Sequence, residues 1–195
     1  MRNPIRFKNV RARFIPLYLL GALMLWFVQP SKVAYGVGAA AVVAGAGLRT
    51  WGAGHLVKTE SLTITGPYAR LRHPLYVGTL LVVGGFAWMV GSWFSLVAFA
   101  VLLAWFFGSY FPRKESAESA RLAARYGAPF AAYHAAVPAL IPLRRPWKPE
   151  RGAIEFGDAD ARWRLDRYSE NNELGALLAV MAGLVAFGLR AWTVI

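Results

Sequence analysis

Residues 74–111 read PLYVGTLLVVGGFAWMVGSWFSLVAFAVLLAWFFGSYF, and no side chain in this stretch carries a charge. The stretch is too long for one transmembrane helix, because about 20 apolar residues already span a bilayer core of roughly 30 Å. Gly91 and Ser92 lie near its middle and predict a tight hairpin. The stretch therefore predicts two consecutive transmembrane helices joined by a short turn.

Three further apolar segments are candidates for membrane spans, at about residues 14–28, 33–51 and 174–192. The first is short, but Arg11 and Arg13 can extend their side chains to the membrane surface and lengthen it. No small-x-small cleavage site follows this segment, so we expect it to be retained rather than removed as a signal peptide. These segments bring the predicted number of spans to about five.

The second apolar segment is rich in small residues. Gly36, Ala40 and Ala44 recur at four-residue intervals, and Gly38, Gly45 and Gly47 add further small residues. Such spacing lets helices approach each other closely in lipid. We therefore expect this segment to pack tightly against a neighbouring helix.

The composition points to the same fold class. Of the 195 residues, 57% are hydrophobic and 16% are charged, and a soluble domain of this size cannot bury that much apolar surface. Cysteine is absent, which excludes disulfides, a catalytic thiol and most thiolate metal sites. We predict an all-α polytopic membrane protein that forms one integral membrane domain over residues 1–195, with no metal site.

The distribution of basic residues predicts an orientation. All but two of the 22 Lys and Arg residues lie on one side of the predicted spans, and the exceptions are Lys32 and Arg190. The positive-inside rule makes the basic side cytoplasmic, with the N-terminus inside and the C-terminus outside a bacterial or archaeal cytoplasmic membrane. The net charge of +12 then indicates contact with anionic lipid headgroups rather than with nucleic acid.

The polar stretch 112–173 forms a predicted cytoplasmic connector that is too long for an unstructured loop. Its first part has charged residues at the three- and four-residue spacings of a helix: Glu115, Glu118, Arg121 and Arg125. Gly127 and Pro129 predict the end of this helix. We therefore expect the connector to contain helical structure of its own.

A cluster of functional side chains lies in the first motif, residues 66–78, which reads GPYARLRHPLYVG. Pro74 suits the first turn of a helix, which places Arg72 and His73 at the membrane boundary and Tyr76 one turn inside. A helix N-terminus with an Arg, a His and a Tyr suits an anionic or polar ligand. The ordinary alternative is that Arg72 binds lipid phosphate, His73 caps a carbonyl and Tyr76 belongs to an aromatic belt.

The first motif resembles the Gly-Pro-Tyr-x-x-x-Arg-His-Pro-x-Tyr-x-Gly signature of the isoprenylcysteine carboxyl methyltransferase family, which phospholipid N-methyltransferases share in looser form. A second motif, residues 118–142, resembles the Glu-Glu-x-x-Leu-x-x-x-Phe-Gly-x-x-Tyr-x-x-Tyr-x-x-x-Val-Pro-x-x-x-Pro element of that family. The second motif matches at Glu118, Leu122, Gly127, Tyr133, Val137, Pro138 and Pro142. It departs at Ser119, Tyr126 and Phe130. Two linked motifs in the right order make the resemblance specific.

The resemblance implies an S-adenosylmethionine-dependent membrane methyltransferase. Its acceptor would be a lipophilic molecule that enters from the bilayer, either the carboxylate of an isoprenylcysteine-like substrate or a lipid. The cofactor-binding residues that it implies are Tyr68, Arg72, His73, Pro74, Tyr76, Gly78 and Glu118. Arg125 and Tyr133 would orient the acceptor and are the candidate catalytic residues. An amine acceptor would also need a general base, for which His73 or Glu118 could serve.

The two acids of the connector are expected to have different roles. The cofactor offers hydroxyls to a carboxylate, and we expect Glu118 to bind them because it aligns with the family's first acid. We expect Glu115, one turn earlier, to pair with solvent-facing cations, where ion pairs contribute little. Glu118→Gln should therefore weaken cofactor binding more than Glu115→Gln.

Two other functions stay open from the sequence. Sterol and steroid reductases carry a similar Arg-His-Pro-x-Tyr stretch, so an NADPH-dependent membrane reductase is the first alternative. The second is a non-catalytic membrane protein, such as a small transporter. The intact Gly66-Pro67-Tyr68 start of the first motif and the second motif favour the methyltransferase. The lack of charge in 74–111 gives an ion pathway little support.

Overall fold

The computed structural model describes residues 28–57, 61–149 and 162–193, and these residues form helices and connecting turns without a strand. The helices are α1 (Lys32–His55), α2 (Pro74–Val90), α3 (Trp93–Trp105), α4 (Phe111–Tyr126), α5 (Ala128–Ala136), α6 (Leu165–Glu170) and α7 (Glu173–Trp192). A short 3₁₀ helix, Gly66–Ala69, precedes α2, and a π-helical turn, Phe106–Tyr110, joins α3 to α4. The predicted all-α class is confirmed.

Three helical stretches of the described residues are long and apolar enough to cross a membrane: Lys32–His55, Trp93–Tyr126 and Glu173–Trp192. Helix α2 is a shorter apolar helix. The predicted first span, about 14–28, lies outside the described residues except for Val28. The structure therefore supports a membrane protein but does not confirm the count of five spans.

The predicted hairpin between the third and fourth apolar segments is present at Gly91 and Ser92. Gly91 ends α2 in the left-handed conformation with φ of 67°, which a glycine adopts without steric cost. Ser92 caps the start of α3, and its hydroxyl accepts a hydrogen bond of 3.2 Å from the N–H of Phe94. Helices α2 and α3 therefore run in opposite directions with almost no loop between them.

Helices α1 and α2 cross very closely along two pairs of glycines. A Cβ atom on Gly38 would lie 2.6 Å from the carbonyl oxygen of Gly85, and one on Gly45 would lie 2.6 Å from that of Gly78. The predicted tight packing is therefore present. It uses Gly38 and Gly45, whereas a Cβ atom on Gly36 would meet none of the described residues of other elements within 4 Å. Small residues on one side of α1 let the two backbones touch.

The sequence suggested that the fourth apolar helix ends near Phe111. The helix instead continues without a break from Trp93 to Tyr126. Pro112 has no N–H, and its ring would clash with the carbonyl four residues earlier in a regular α-helix. The π-helical turn before it, in which the N–H of Phe111 donates to the carbonyl of Phe106, widens the helix at this point. The first turns of the connector are therefore a direct extension of a membrane helix.

A charged cluster joins three helices near the end of α1. The guanidinium of Arg49 donates to both carboxylate oxygens of Glu173 at 2.7 Å, from α1 to the first residue of α7. Arg49 also donates to the carbonyl of Leu75 and the hydroxyl of Thr79 on α2. The side chains of Arg49 and Glu173 are 24% and 11% exposed. This cluster fixes α1, α2 and α7 relative to one another.

The end of the connector caps helix α1. The side-chain amide of Asn171 donates to the carbonyls of Ala53 and Leu56, at 2.8 and 3.0 Å. The backbone N–H of Arg164 donates to the carbonyl of Gly54 at 3.0 Å. The last carbonyls of a helix have no partner within the helix, so these bonds satisfy groups that α1 leaves free. The residues before α7 are thereby held against the end of α1.

Candidate functional site

A cavity of about 410 Å³ lies where the residues after α1, the first motif and helices α4 and α5 meet. Its volume falls in the usual range for small-molecule sites. The charged and hydroxyl side chains that line it are Ser61, Thr63, Arg72, His73, Glu115, Glu118, Ser119, Arg121 and Arg125. The aromatic lining comes from Tyr68, Tyr126, Phe130 and Tyr133. The cavity therefore brings residues of both sequence motifs together.

The first motif turns sharply at Gly66 before it enters α2. Gly66 has φ of 60°, and a Cβ atom there would run into the ring of His55. Pro67 lies in the first turn of the short 3₁₀ helix and Pro74 in the first turn of α2, where a missing N–H costs nothing. These residues direct Arg72 and His73 toward the cavity at the start of α2.

The backbone of the first motif pairs with residues 138–143, which we call the strap. The N–H groups of Arg72 and His73 donate to the carbonyls of Pro138 and Ala139, at 2.9 and 3.0 Å. In return, the N–H of Leu143 donates to the carbonyl of Arg70 at 2.9 Å. The strap overlaps the end of the second motif, so the Val-Pro-x-x-x-Pro part of that motif holds the Arg-His pair of the first in place.

A buried hydroxyl adds a second connection between the motifs. Tyr133, on α5, donates a hydrogen bond of 2.8 Å to the carbonyl of Tyr68. Burial raises the pKa of both phenols well above the usual value, so both stay protonated at neutral pH. Tyr133 was predicted to orient the acceptor. Its ring lines the cavity, but its hydroxyl proton is already donated to the first motif and is not available to an acceptor.

The carboxylate of Glu115 is the centre of an ionic cluster. One oxygen lies 2.8 Å from Nη2 of Arg72 and 3.6 Å from Nε2 of His134, and the other pairs with Nε2 of His73. The side chains of Arg72 and His73 are only 13% and 12% exposed. The expectation that Glu115 pairs with solvent-facing cations is therefore wrong. The continuous helix carries the first turn of α4 past the start of α2, where Glu115 meets the first motif.

Two side chains of the cavity carry buried polar atoms without a partner. The Nε and Nη1 atoms of Arg72 have no hydrogen-bond acceptor among the described residues, and neither does the hydroxyl of Ser61. Leaving a buried donor unpaired costs about 1–3 kcal/mol, and more for a charged group. Such atoms inside a cavity indicate a place for a ligand or for water that donates or accepts hydrogen bonds.

The comparison with known protein families gives the same assignment as the two motifs. Residues 39–127 match the phospholipid methyltransferase family. This segment runs from α1 to the end of α4 and contains the first motif and both acids of the cavity. No curated protein and no solved structure matches the chain. The match confirms the predicted resemblance to phospholipid methyltransferases and is consistent with the related isoprenylcysteine family.

Three predicted cofactor-binding residues of the matched segment do not line the cavity. Pro74 begins α2, and Gly78 lies against the carbonyl of Gly45 at the crossing of α1 and α2. The ring of Tyr76 stacks on that of His73, with centroids 5.5 Å apart, and packs against aromatic rings of the π-helical turn. Tyr76 therefore supports His73 by packing, whereas Gly78 serves the crossing of α1 and α2.

The other predicted site residues line the cavity: Tyr68, Arg72, His73, Glu118, Arg125 and Tyr133. Sequence reasoning missed Ser61, Glu115 and Arg121 as lining residues. Glu115 could have been found from its position three residues before Glu118, which places both acids on one side of a helix. Ser61 belongs to neither motif, and its sequence context gives no signal of a site.

Proposed function

We propose that the protein is an S-adenosylmethionine-dependent methyltransferase that acts on a lipophilic acceptor at the membrane. The match to the phospholipid methyltransferase family supports a membrane methyltransferase. The cofactor assignment rests on Arg72. Its guanidinium has two buried donors without a partner, and the residue lines a cavity of suitable size. A guanidinium in that state favours a ligand with an anionic group.

When bound, S-adenosylmethionine supplies a methyl group on a sulfonium sulfur, which an oxygen or nitrogen of the acceptor can attack without a metal. Arg72 and the start of α2 bind the anionic part of the cofactor. Glu118 accepts hydrogen bonds from cofactor hydroxyls, and the rings of Tyr126 and Phe130 provide an aromatic wall. A carboxylate acceptor needs no base, whereas the proton of an amine acceptor passes to His73 or Glu118. Catalysis then rests mainly on positioning.

The acceptor reaches the cavity from the bilayer side. His73 packs edge-on against Phe111, and Tyr76 packs against Phe106, so aromatic rings continue from the cavity into the apolar part of the molecule. Such rings suit the boundary between lipid and water. Arg125, on the exposed part of α4, orients the head of the acceptor. The exposed cations of α4 also contact anionic lipid headgroups.

Cofactor identity is tested by calorimetry on the detergent-purified protein. We expect S-adenosylmethionine or its demethylated product to bind with a Kd in the micromolar range, about −8 kcal/mol. Arg72→Gln should weaken this binding at least tenfold. Arg113→Gln, which removes an exposed guanidinium outside the cavity lining, should leave it unchanged. Binding of NADPH with no response to either sulfur compound would overturn the proposal and favour a reductase.

The proposed orientation places both motifs in the cytoplasm and the C-terminus outside. Because the chain has no cysteine, single cysteines at Ser116 and Thr193, both exposed, report topology without background. A membrane-impermeant thiol reagent added to intact cells should label the cysteine at 193 and reach the one at 116 only after the membrane is opened. Labelling of both from the same side would contradict the orientation.

A further inference from the structure

We propose that Ser61 and Arg72 together bind the carboxylate of the amino-acid arm of the cofactor. The inference rests on the proposed function and goes beyond it. It assigns a binding role to Ser61, a residue outside both sequence motifs, and it fixes which way the cofactor lies in the cavity. The inference is based on a hydroxyl and a guanidinium that have buried atoms without a partner and belong to residues lining one cavity.

The two residues after Ser61 are anchored by packing and by a hydrogen bond. Its neighbour Leu62 is 5% exposed and packs in a cluster with Phe130 and Tyr133. One residue further on, the hydroxyl of Thr63 accepts a hydrogen bond of 3.1 Å from the N–H of Val57. The hydroxyl of Thr63 is therefore already used, whereas that of Ser61 is buried and still has a donor and an acceptor to offer.

Arg72 presents the complementary group. Glu115 engages its Nη2 atom, which leaves Nε and Nη1 as buried donors without a partner on a residue that lines the same cavity. A carboxylate oxygen accepts from both a guanidinium and a hydroxyl, and charged hydrogen bonds of this kind are roughly twice as strong as neutral ones. An ammonium or a neutral ring would leave the donors of Arg72 unpaired.

The assignment sets the direction of the ligand. Glu115 is already paired with Arg72, and α4 presents Arg121 and Arg125 to the cavity as well as Glu118, so the net charge of α4 does not decide the direction. The buried, unpaired donors of Arg72 and Ser61 place the carboxylate. The nucleoside end then lies toward Glu118, Tyr126 and Phe130, where hydroxyls find a carboxylate and the base finds aromatic rings. The amino-acid arm therefore points toward the residues that follow α1.

Two ligands that differ in the amino-acid arm test this assignment. S-adenosylhomocysteine has the arm, and 5′-methylthioadenosine has the same nucleoside and thioether without it. In calorimetry on the purified full chain, Ser61→Ala should weaken S-adenosylhomocysteine about tenfold, the effect of losing one hydrogen bond to a charged group. It should leave 5′-methylthioadenosine unchanged. Ser116→Ala, an exposed serine on α4, is the matched control and should affect neither ligand.

Ser61→Cys is a second variant that keeps the volume of the side chain and replaces the hydroxyl with a weak donor, so it should show the same pattern if the alanine variant does not fold. Equal weakening of both ligands, or no change in either, would overturn the assignment of Ser61 while leaving the proposed cofactor intact. A wild-type protein that binds neither ligand would overturn the proposed function, and this inference with it.

Discussion

Arg49→Met should lower the free energy of unfolding by about 3–5 kcal/mol, because it leaves the carboxylate of Glu173 buried without its partner. Glu173 is 11% exposed, and the two charges meet through several hydrogen bonds. Methionine fills much of the same space, so the loss comes from the charge rather than from a void. In detergent, the midpoint of thermal unfolding, followed by tryptophan fluorescence, should fall by on the order of 10 °C.

Two further variants separate this effect from a general sensitivity of the helices. Arg49→Met combined with Glu173→Leu removes both charges and should recover most of the lost stability, since apolar residues often replace a buried ion pair without loss. Asp166→Asn breaks an exposed ion pair, in which the side chains of Arg164 and Asp166 are 47% and 56% exposed. This change should shift the midpoint of unfolding little. If Asp166→Asn lowers the midpoint of unfolding as much as Arg49→Met does, the buried ion pair stabilises the fold no more than an exposed one.

Glu115→Gln and Glu118→Gln should fail in different ways, although the residues lie one turn apart on α4. Glu115 holds Arg72 and His73, so its loss leaves a poorly exposed guanidinium without a counter-charge and should cost about 2–3 kcal/mol of stability. Glu118 lines the cavity without an ion pair among the described residues. Its loss should spare stability and weaken cofactor binding at least tenfold, about 1.4 kcal/mol.

Thermal unfolding without ligand and calorimetry with S-adenosylhomocysteine separate the two outcomes. Each variant serves as the control for the other, because both replace the same side chain on the same helix. A stable Glu115→Gln protein would mean that the ionic cluster does not hold the first motif. Normal cofactor affinity in Glu118→Gln would show that this acid does not bind the cofactor and that it only lines the cavity.

The hydrophobic pattern predicted the helices well because lipid imposes simple rules on length and composition. The hairpin at Gly91 and the helix end at Gly127 followed from local turn signals, and both are present. The unbroken helix from α3 to α4 was not predicted. A proline usually marks the end of a helix, and the sequence gives no sign that a π-helical turn absorbs Pro112 here.

The candidate site was predictable where it follows the motifs and not where it depends on contacts between distant segments. The motifs identified Arg72 and His73, but the partner of both, Glu115, was expected to face solvent. The direction of a helical side chain depends on where the helix lies, which spacing alone does not determine. Ser61 lines the cavity beside Leu62, whose packing against Phe130 and Tyr133 joins segments that are far apart in the sequence.

The pairing of the first motif with the strap has a consequence for how the protein is made. Tyr133 follows Tyr68 by 65 residues, and the carbonyls that receive the Arg72 and His73 amides lie later still. At ribosomal rates of about 5–20 residues per second, several seconds separate the two halves of the site. During that interval the first motif has been made, but the residues that hold it and complete the cavity have not. The chain therefore gains the ability to capture cofactor only after Pro138 and Ala139 have been made.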